Sequence, residues 1–80
     1  MDSKKTIAIM FGGRSPEHEV SVITGLQVVE NLDQQKYEAL PIYVSKDGKW
    51  YVGDQLKQVE TYRNLSSIPE KTKQVYLSIQ

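Results

Sequence analysis

Eighty residues make one domain at most, and folding hides only about 60–65% of the surface that an unfolded chain of this length exposes, so any core is thin. Ten basic residues balance ten acidic ones and both signs are scattered, so no strong field exists to draw in nucleic acid or an anionic membrane. The chain has no cysteine, which removes disulfides and thiolate metal sites and leaves a reducing cytoplasm as the default compartment.

Met1 to Thr6 lacks the apolar stretch and cleavage site of a signal peptide, and the apolar run Ile7 to Phe11 is far too short to span a bilayer. A soluble protein without membrane or nucleic-acid partners is expected. Thr6 to Phe11 is a nearly continuous apolar run ended by Gly12-Gly13, the pattern of a strand buried on both faces of a parallel sheet. Ser15 can then cap a helix whose first turn holds Pro16, Glu17 and Glu19, running to about Leu32. Val22, Leu26, Val29 and Leu32 fall at helical spacing, with Ile23 beside them, and form a stripe broad enough to lie on a sheet.

Tyr37 to Val44 is the next extended segment. Pro41 inside it removes one ladder donor, which predicts an edge position. Ser45-Lys46-Asp47-Gly48 carries turn chemistry between two extended flanks and predicts a hairpin returning through Lys49 to Val52. Asp54 to Asn64 reads as a short helix with Leu56, Val59 and Tyr62 on its apolar side. Ser66 to Lys73, with Pro69, reads as a loop, and Gln74 to Ile79 as a last strand. The whole is α/β: a Rossmann-like three-layer unit on a short, mainly parallel sheet, truncated at Gln80.

The chemistry concentrates where the first strand ends. Gly12-Gly13 lets the backbone turn tightly beside a helix amino terminus, at the carboxyl end of a parallel strand, where open α/β sheets bind ligands. The glycines are adjacent and no third follows, so a dinucleotide fingerprint fails, and Arg14-Ser15 in place of a lysine-serine ending excludes a phosphate-binding P-loop. Glu17 and Glu19 suit a ligand carrying an ammonium group, through charge-assisted hydrogen bonds. They equally suit compensation of the helix dipole at a solvated end, and the spacing does not choose between these readings. His18, the only histidine, is left without a role. Trp50, Tyr43 and Tyr51 read as aromatic packing on a neighbouring strand rather than as a stacking platform.

The run Ile9-Met10-Phe11-Gly12-Gly13-Arg14-Ser15-Pro16-Glu17-His18-Glu19-Val20-Ser21 resembles the amino-terminal signature of the D-alanine:D-alanine ligases, enzymes of the ATP-grasp family that make a peptidoglycan precursor. The likeness continues through Lys36-Tyr37-Glu38, Pro41-Ile42 and Lys46-Asp47-Gly48-Lys49-Trp50, and is loose from Tyr51 to Ser67. It implies that residues 1–80 are part of the amino-terminal, pre-ATP-grasp domain. It also implies that Glu17 contacts the amino group of the first D-alanine, with catalytic and binding roles, that Val20 lines the same pocket, and that Ser21 sits beside it in the first turns of the helix.

The same resemblance implies that ATP and Mg2+ (or Mn2+) activate one D-alanine carboxylate as an acylphosphate, which the amine of a second substrate attacks. It assigns the nucleotide and metals to central and carboxyl-terminal domains outside these 80 residues, so the piece alone is expected to be inactive. D-Alanine and the rest of the ligase chain are the implied partners. D-Lactate or D-serine could replace the second D-alanine. An unpaired strand edge predicts a homodimer or edge-paired oligomer. A free-standing α/β binding or self-association module without catalysis is the alternative.

Overall fold

A computed structural model describes residues 4–14 and 16–76. The predicted cap at Ser15 and the predicted strand beyond Tyr76 lie outside the described residues. Strand β1 (Lys5–Gly12) leads into helix α1 (His18–Asn31), and the chain returns through β2 (Tyr37–Val44), parallel to β1 in a register that sets Ile9 against Pro41 and Phe11 against Tyr43. The α/β unit with a strand-helix-strand start is thus the one expected. α1 ends one residue earlier than its pattern, because Leu32 is extended and the carbonyl of Asp33 accepts from the N–H groups of Lys36 and Tyr37, turning the chain toward β2. Among the described residues no helix is long and apolar enough to cross a membrane.

The predicted hairpin is present. β3 (Trp50–Val52) runs antiparallel to β2, closed by hydrogen bonds from Ser45 N to Lys49 O (2.8 Å) and from Gly48 N to Ser45 O (2.9 Å). Ser45 Oγ adds a bond to the Asp47 carboxylate. β4 (Lys73–Val75) pairs antiparallel with β3, one residue earlier than the pattern of Gln74 to Ile79, and the sheet order is β1-β2-β3-β4.

Pro41 is not on an edge strand: β2 lies between β1 and β3. The ladder to β3 stops at Ile42↔Val52, so one flank of Pro41 has no strand beside it, and the missing donor is accommodated at a local gap inside the sheet.

The inner face of the sheet carries Ile9, Phe11, Tyr43 and Tyr51. They form one cluster with Val22 and Val29 of α1 and with Leu56 and Ile68. The expectation that β1 is buried on both faces does not hold among the described residues: Thr6, Ala8 and Met10, on the face opposite Ile9 and Phe11, are exposed, Met10 by 51%. The strand is apolar on both sides, and the described chain covers one. The α1 stripe is also shifted: Val22, Gly25 and Val29 are buried, whereas Ile23 is exposed. A Cβ on Gly25 would stand 2.6 Å from Cγ of Phe11, so this glycine lets helix and strand approach at closest range.

Asp54 to Asn64 is not one helix but two 3-10 turns, Asp54–Lys57 and Val59–Arg63, broken at an extended Gln58. Side chains take over carbonyls that an α-helix would use: Thr61 Oγ1 donates to Gln55 O and Tyr62 Oη to Leu56 O, each at 2.6 Å. A third 3-10 turn, Leu65–Ser67, leads into a short helix α2 (Ile68–Lys71), where a loop was expected. Pro69 sits in its first turn, a place where proline needs no N–H partner, and Ile68 is fully buried.

Candidate functional site

The corner between β1 and α1 is built by two glycines. Gly12 has φ +94°, and a Cβ there would lie 2.4 Å from the carbonyl oxygen of Val44, so glycine is required both for the turn and for the approach of β2. Gly13, at φ +96°, donates its N–H to that same Val44 carbonyl at 2.7 Å. Gly12 N–H donates to Ser21 Oγ at 3.0 Å, tying the end of β1 to the second turn of α1. The Glu17 carbonyl accepts the first helical bond, from Ser21 N at 2.9 Å.

Beside this knot runs an open groove along β1 and α1. Glu17, Val20 and Ser21 all line it, with Met10, Gly12, Thr24 and Val28. Glu17 and Val20 are exposed, and Ser21 is half-buried behind them. The three residues singled out in the sequence therefore meet in one place. A carboxylate at the mouth of such a groove can accept hydrogen bonds from a ligand ammonium, and the apolar Val20 and Val28 give a small side chain something to pack on. Among the described residues no group of three or more His, Cys, Asp or Glu side chains stands together.

The β2–β3 loop clasps the same corner from the outside. Arg14 Nη2 donates to Asp47 O at 3.3 Å, and Lys46 Nζ meets Glu19 Oε1 at 3.3 Å. A backbone hydrogen bond at Glu19, and then Lys46, hold the Glu19 carboxyl below the usual carboxylate range. Asp47 is lowered too, chiefly by its hydrogen bond from Ser45. Glu19 thus turns toward the hairpin, in line with a local structural role.

One core residue behind the corner, His18, was left without a role in the sequence. His18 is buried, with 1% of its surface exposed, and its Nε2 shares a 2.7 Å hydrogen bond with Tyr43 Oη. The signal was available: residues 18, 22, 25 and 29 share one helical stripe, and all four are buried. Tyr43 is the hub of an aromatic cluster with Phe11, His18, Tyr51 and Tyr62 at centroid distances of 5.4–6.4 Å. Burial, and then the charge on Glu19, push its phenol up to about 12. Tyr62 belongs to the same cluster, and burial likewise raises its phenol. Tyr43 and Tyr51 are cross-strand neighbours, which is the packing role their pattern suggested.

A family model for "D-ala D-ala ligase N-terminus" matches residues 6–78. D-alanine–D-alanine ligase from Thermosipho melanesiensis is 42% identical over 69 residues, 86% of this chain and 19% of that protein. The corresponding ligase from Clostridium novyi is 52% identical over 48 residues, 60% of this chain and 14% of that one. Among solved structures, the D-alanine–D-alanine ligase of Coxiella burnetii superposes with a TM-score of 0.78 at 28% identity, over 94% of this chain and 22% of that one. The VanG D-Ala:D-Ser ligase of Enterococcus faecalis gives 0.75 at 28% identity, over 95% and 22%. The chain spans about a fifth of the length of these relatives. With nearly its whole length matched, and the signature folded into a strand-helix corner that gathers Glu17, Val20 and Ser21, the chain belongs to the D-alanine–D-alanine ligase amino-terminal family.

Proposed function

We propose that this segment is the substrate-binding wall of a cytoplasmic, ATP-dependent carboxylate–amine ligase that joins D-alanine to a second D-alanine for the cell wall. The observation that carries the reading is the groove at the carboxyl end of β1, where Glu17, Val20 and Ser21 converge in a chain of this family. Residues 1–80 are then part of the amino-terminal, pre-ATP-grasp domain of a longer chain. Central and ATP-binding domains of that chain hold ATP and Mg2+ or Mn2+, which when bound activate the first carboxylate.

Within this division of labour Glu17 orients the first D-alanine by accepting hydrogen bonds from its ammonium group. Val20 packs against the small side chain. Ser21 keeps the Gly12 turn closed through its bond to the Gly12 amide, so the groove holds its shape. The segment alone carries one wall of the site and has no turnover of its own. The unpaired edge of β1 and the exposed Met10 and Leu40 suit coverage by further chain of the same ligase. Edge pairing with a second copy is the other occupant, and light scattering separates the two.

Glu17→Gln in the full ligase tests the reading. Replacing a charge-assisted bond by a neutral one loses about 1–1.5 kcal/mol, so D-alanine affinity by isothermal titration should fall about 5- to 13-fold, with turnover falling alongside. Unchanged D-alanine binding and turnover would rule the assignment out.

A further inference from the structure

The first turns of α1 present two flanks. One, with Glu17, Val20 and Ser21, faces the groove. The other, with His18 and Val22, faces Tyr62 and Leu65 on the covered side of the sheet. His18 anchors the second flank by a buried side-chain hydrogen bond. Its ring stands at 87° to that of Tyr43 with centroids 5.4 Å apart, and its Nε2 is bonded to the Tyr43 hydroxyl. The ring also borders the turn itself, since Nε2 lies 3.3 Å from where a Cβ on Gly12 would be, with Tyr43 Cε1 at 3.1 Å from the same point.

The choice of histidine here is informative. Its Nδ1 is buried and, among the described residues, no group bonds it, a cost that phenylalanine or leucine at the same place would not carry. What histidine supplies and those residues cannot is the bond to Tyr43. That bond joins α1 to the strand whose Val44 carbonyl receives Gly13, so the tether and the glycine turn close one ring of contacts around the corner. Glu17 is the residue immediately before the tether.

We infer that His18 is a positioning residue: its hydrogen bond to Tyr43 fixes the first turn of α1 against β2 and thereby sets where Glu17 meets the substrate. The inference rests on the reading of Glu17 given above. It does not require His18 to touch substrate, and the ring lies on the covered flank.

The test uses the full ligase, with Tyr43→Phe as the main variant, because it keeps the aromatic packing and removes only the hydroxyl. His18→Gln is the second. A loosened Glu17 should raise the KM for D-alanine about tenfold, while the KM for ATP stays within about twofold of wild type. A purely structural loss would instead lower the melting temperature and leave both KM values unchanged in the folded enzyme. The effect should also vanish in a Glu17→Gln background, where Tyr43→Phe adds no further change to the D-alanine KM. If Tyr43→Phe and His18→Gln leave the D-alanine KM unchanged while Glu17→Gln raises it, the tether is overturned and the substrate reading stands. If Glu17→Gln itself has no effect, both fall. Tyr43→Phe additive with Glu17→Gln would also overturn the tether, because the bond would then act by another route.

Discussion

The strand-helix-strand unit from Lys5 to Val44 and the segment from Asp54 to Thr72 pack against one another in a single core, yet they take their shapes from different forces. In the first, hydrophobic period and backbone ladders decide. Ile9 and Phe11 alternate inward along β1, Val22 and Val29 recur on α1, and the β1–β2 register follows. In the second, side chains close the turns by binding main-chain carbonyls: Thr61 to Gln55, Tyr62 to Leu56, Thr72 to Ile68. A period survives compression into a sequence. A set of local side-chain bonds does not announce which of several turn types it will select.

The sharpest break of the first region is Gly12→Ala. The substituted residue would have to hold φ at +94° with its Cβ 2.4 Å from a backbone oxygen that cannot swing aside. Positive φ costs about 1–3 kcal/mol and a rigid overlap a similar amount, so a loss of about 3 kcal/mol or more is expected, enough to unfold much of a thin domain. Thermal unfolding followed by circular dichroism checks it. A melting temperature like that of wild type would mean that β2 does not close on this turn.

That same corner shows how far the sequence could be read. The apolar strand before Gly12-Gly13, the helix after it and the hairpin at Asp47-Gly48 were visible because each is a short-range pattern. Glu17, Val20 and Ser21 were visible through the family signature, and they do share a groove. The inward turn of His18 was harder to see, because its partner Tyr43 lies 25 residues away. Pro41 misled for a related reason: a proline forbids one hydrogen bond, but whether a strand stands opposite depends on where β3 ends. Two-sided burial of β1 was read from its continuous apolar run, which records that both faces are apolar but not what covers them.

The second region should respond to the loss of a single polar atom. Tyr62→Phe keeps the ring against Phe11 and Tyr43, and removes the bond to the Leu56 carbonyl at 2.6 Å. The expected destabilisation is about 1 kcal/mol, with hydrogen exchange speeding up in residues 54–67 before it does in α1. Equal acceleration in both regions would show that the 3-10 turns are held by packing rather than by side-chain bonds, and the contrast drawn between the two regions would fail.

The smallest effect belongs to the clasp of the β2–β3 loop on the first region, the Lys46–Glu19 pair. Both side chains are well exposed, at 59% and 66%, so water and salt screen their attraction, and Lys46→Ala should leave the melting curve unchanged within reproducibility. Any contribution has a definite sign with pH. The carboxyl of Glu19 is held below its ordinary value of 4.5 in the folded chain, so the folded state favours the ionised form. Its contribution is therefore present above that value and is lost as pH falls through the lower folded pKa, where both states become protonated. A melting temperature that drops on Lys46→Ala at neutral pH and high salt would show that the hairpin loop holds the corner through charge. The Gly13–Val44 and Gly12–Ser21 bonds would then no longer suffice to explain how the groove keeps its shape.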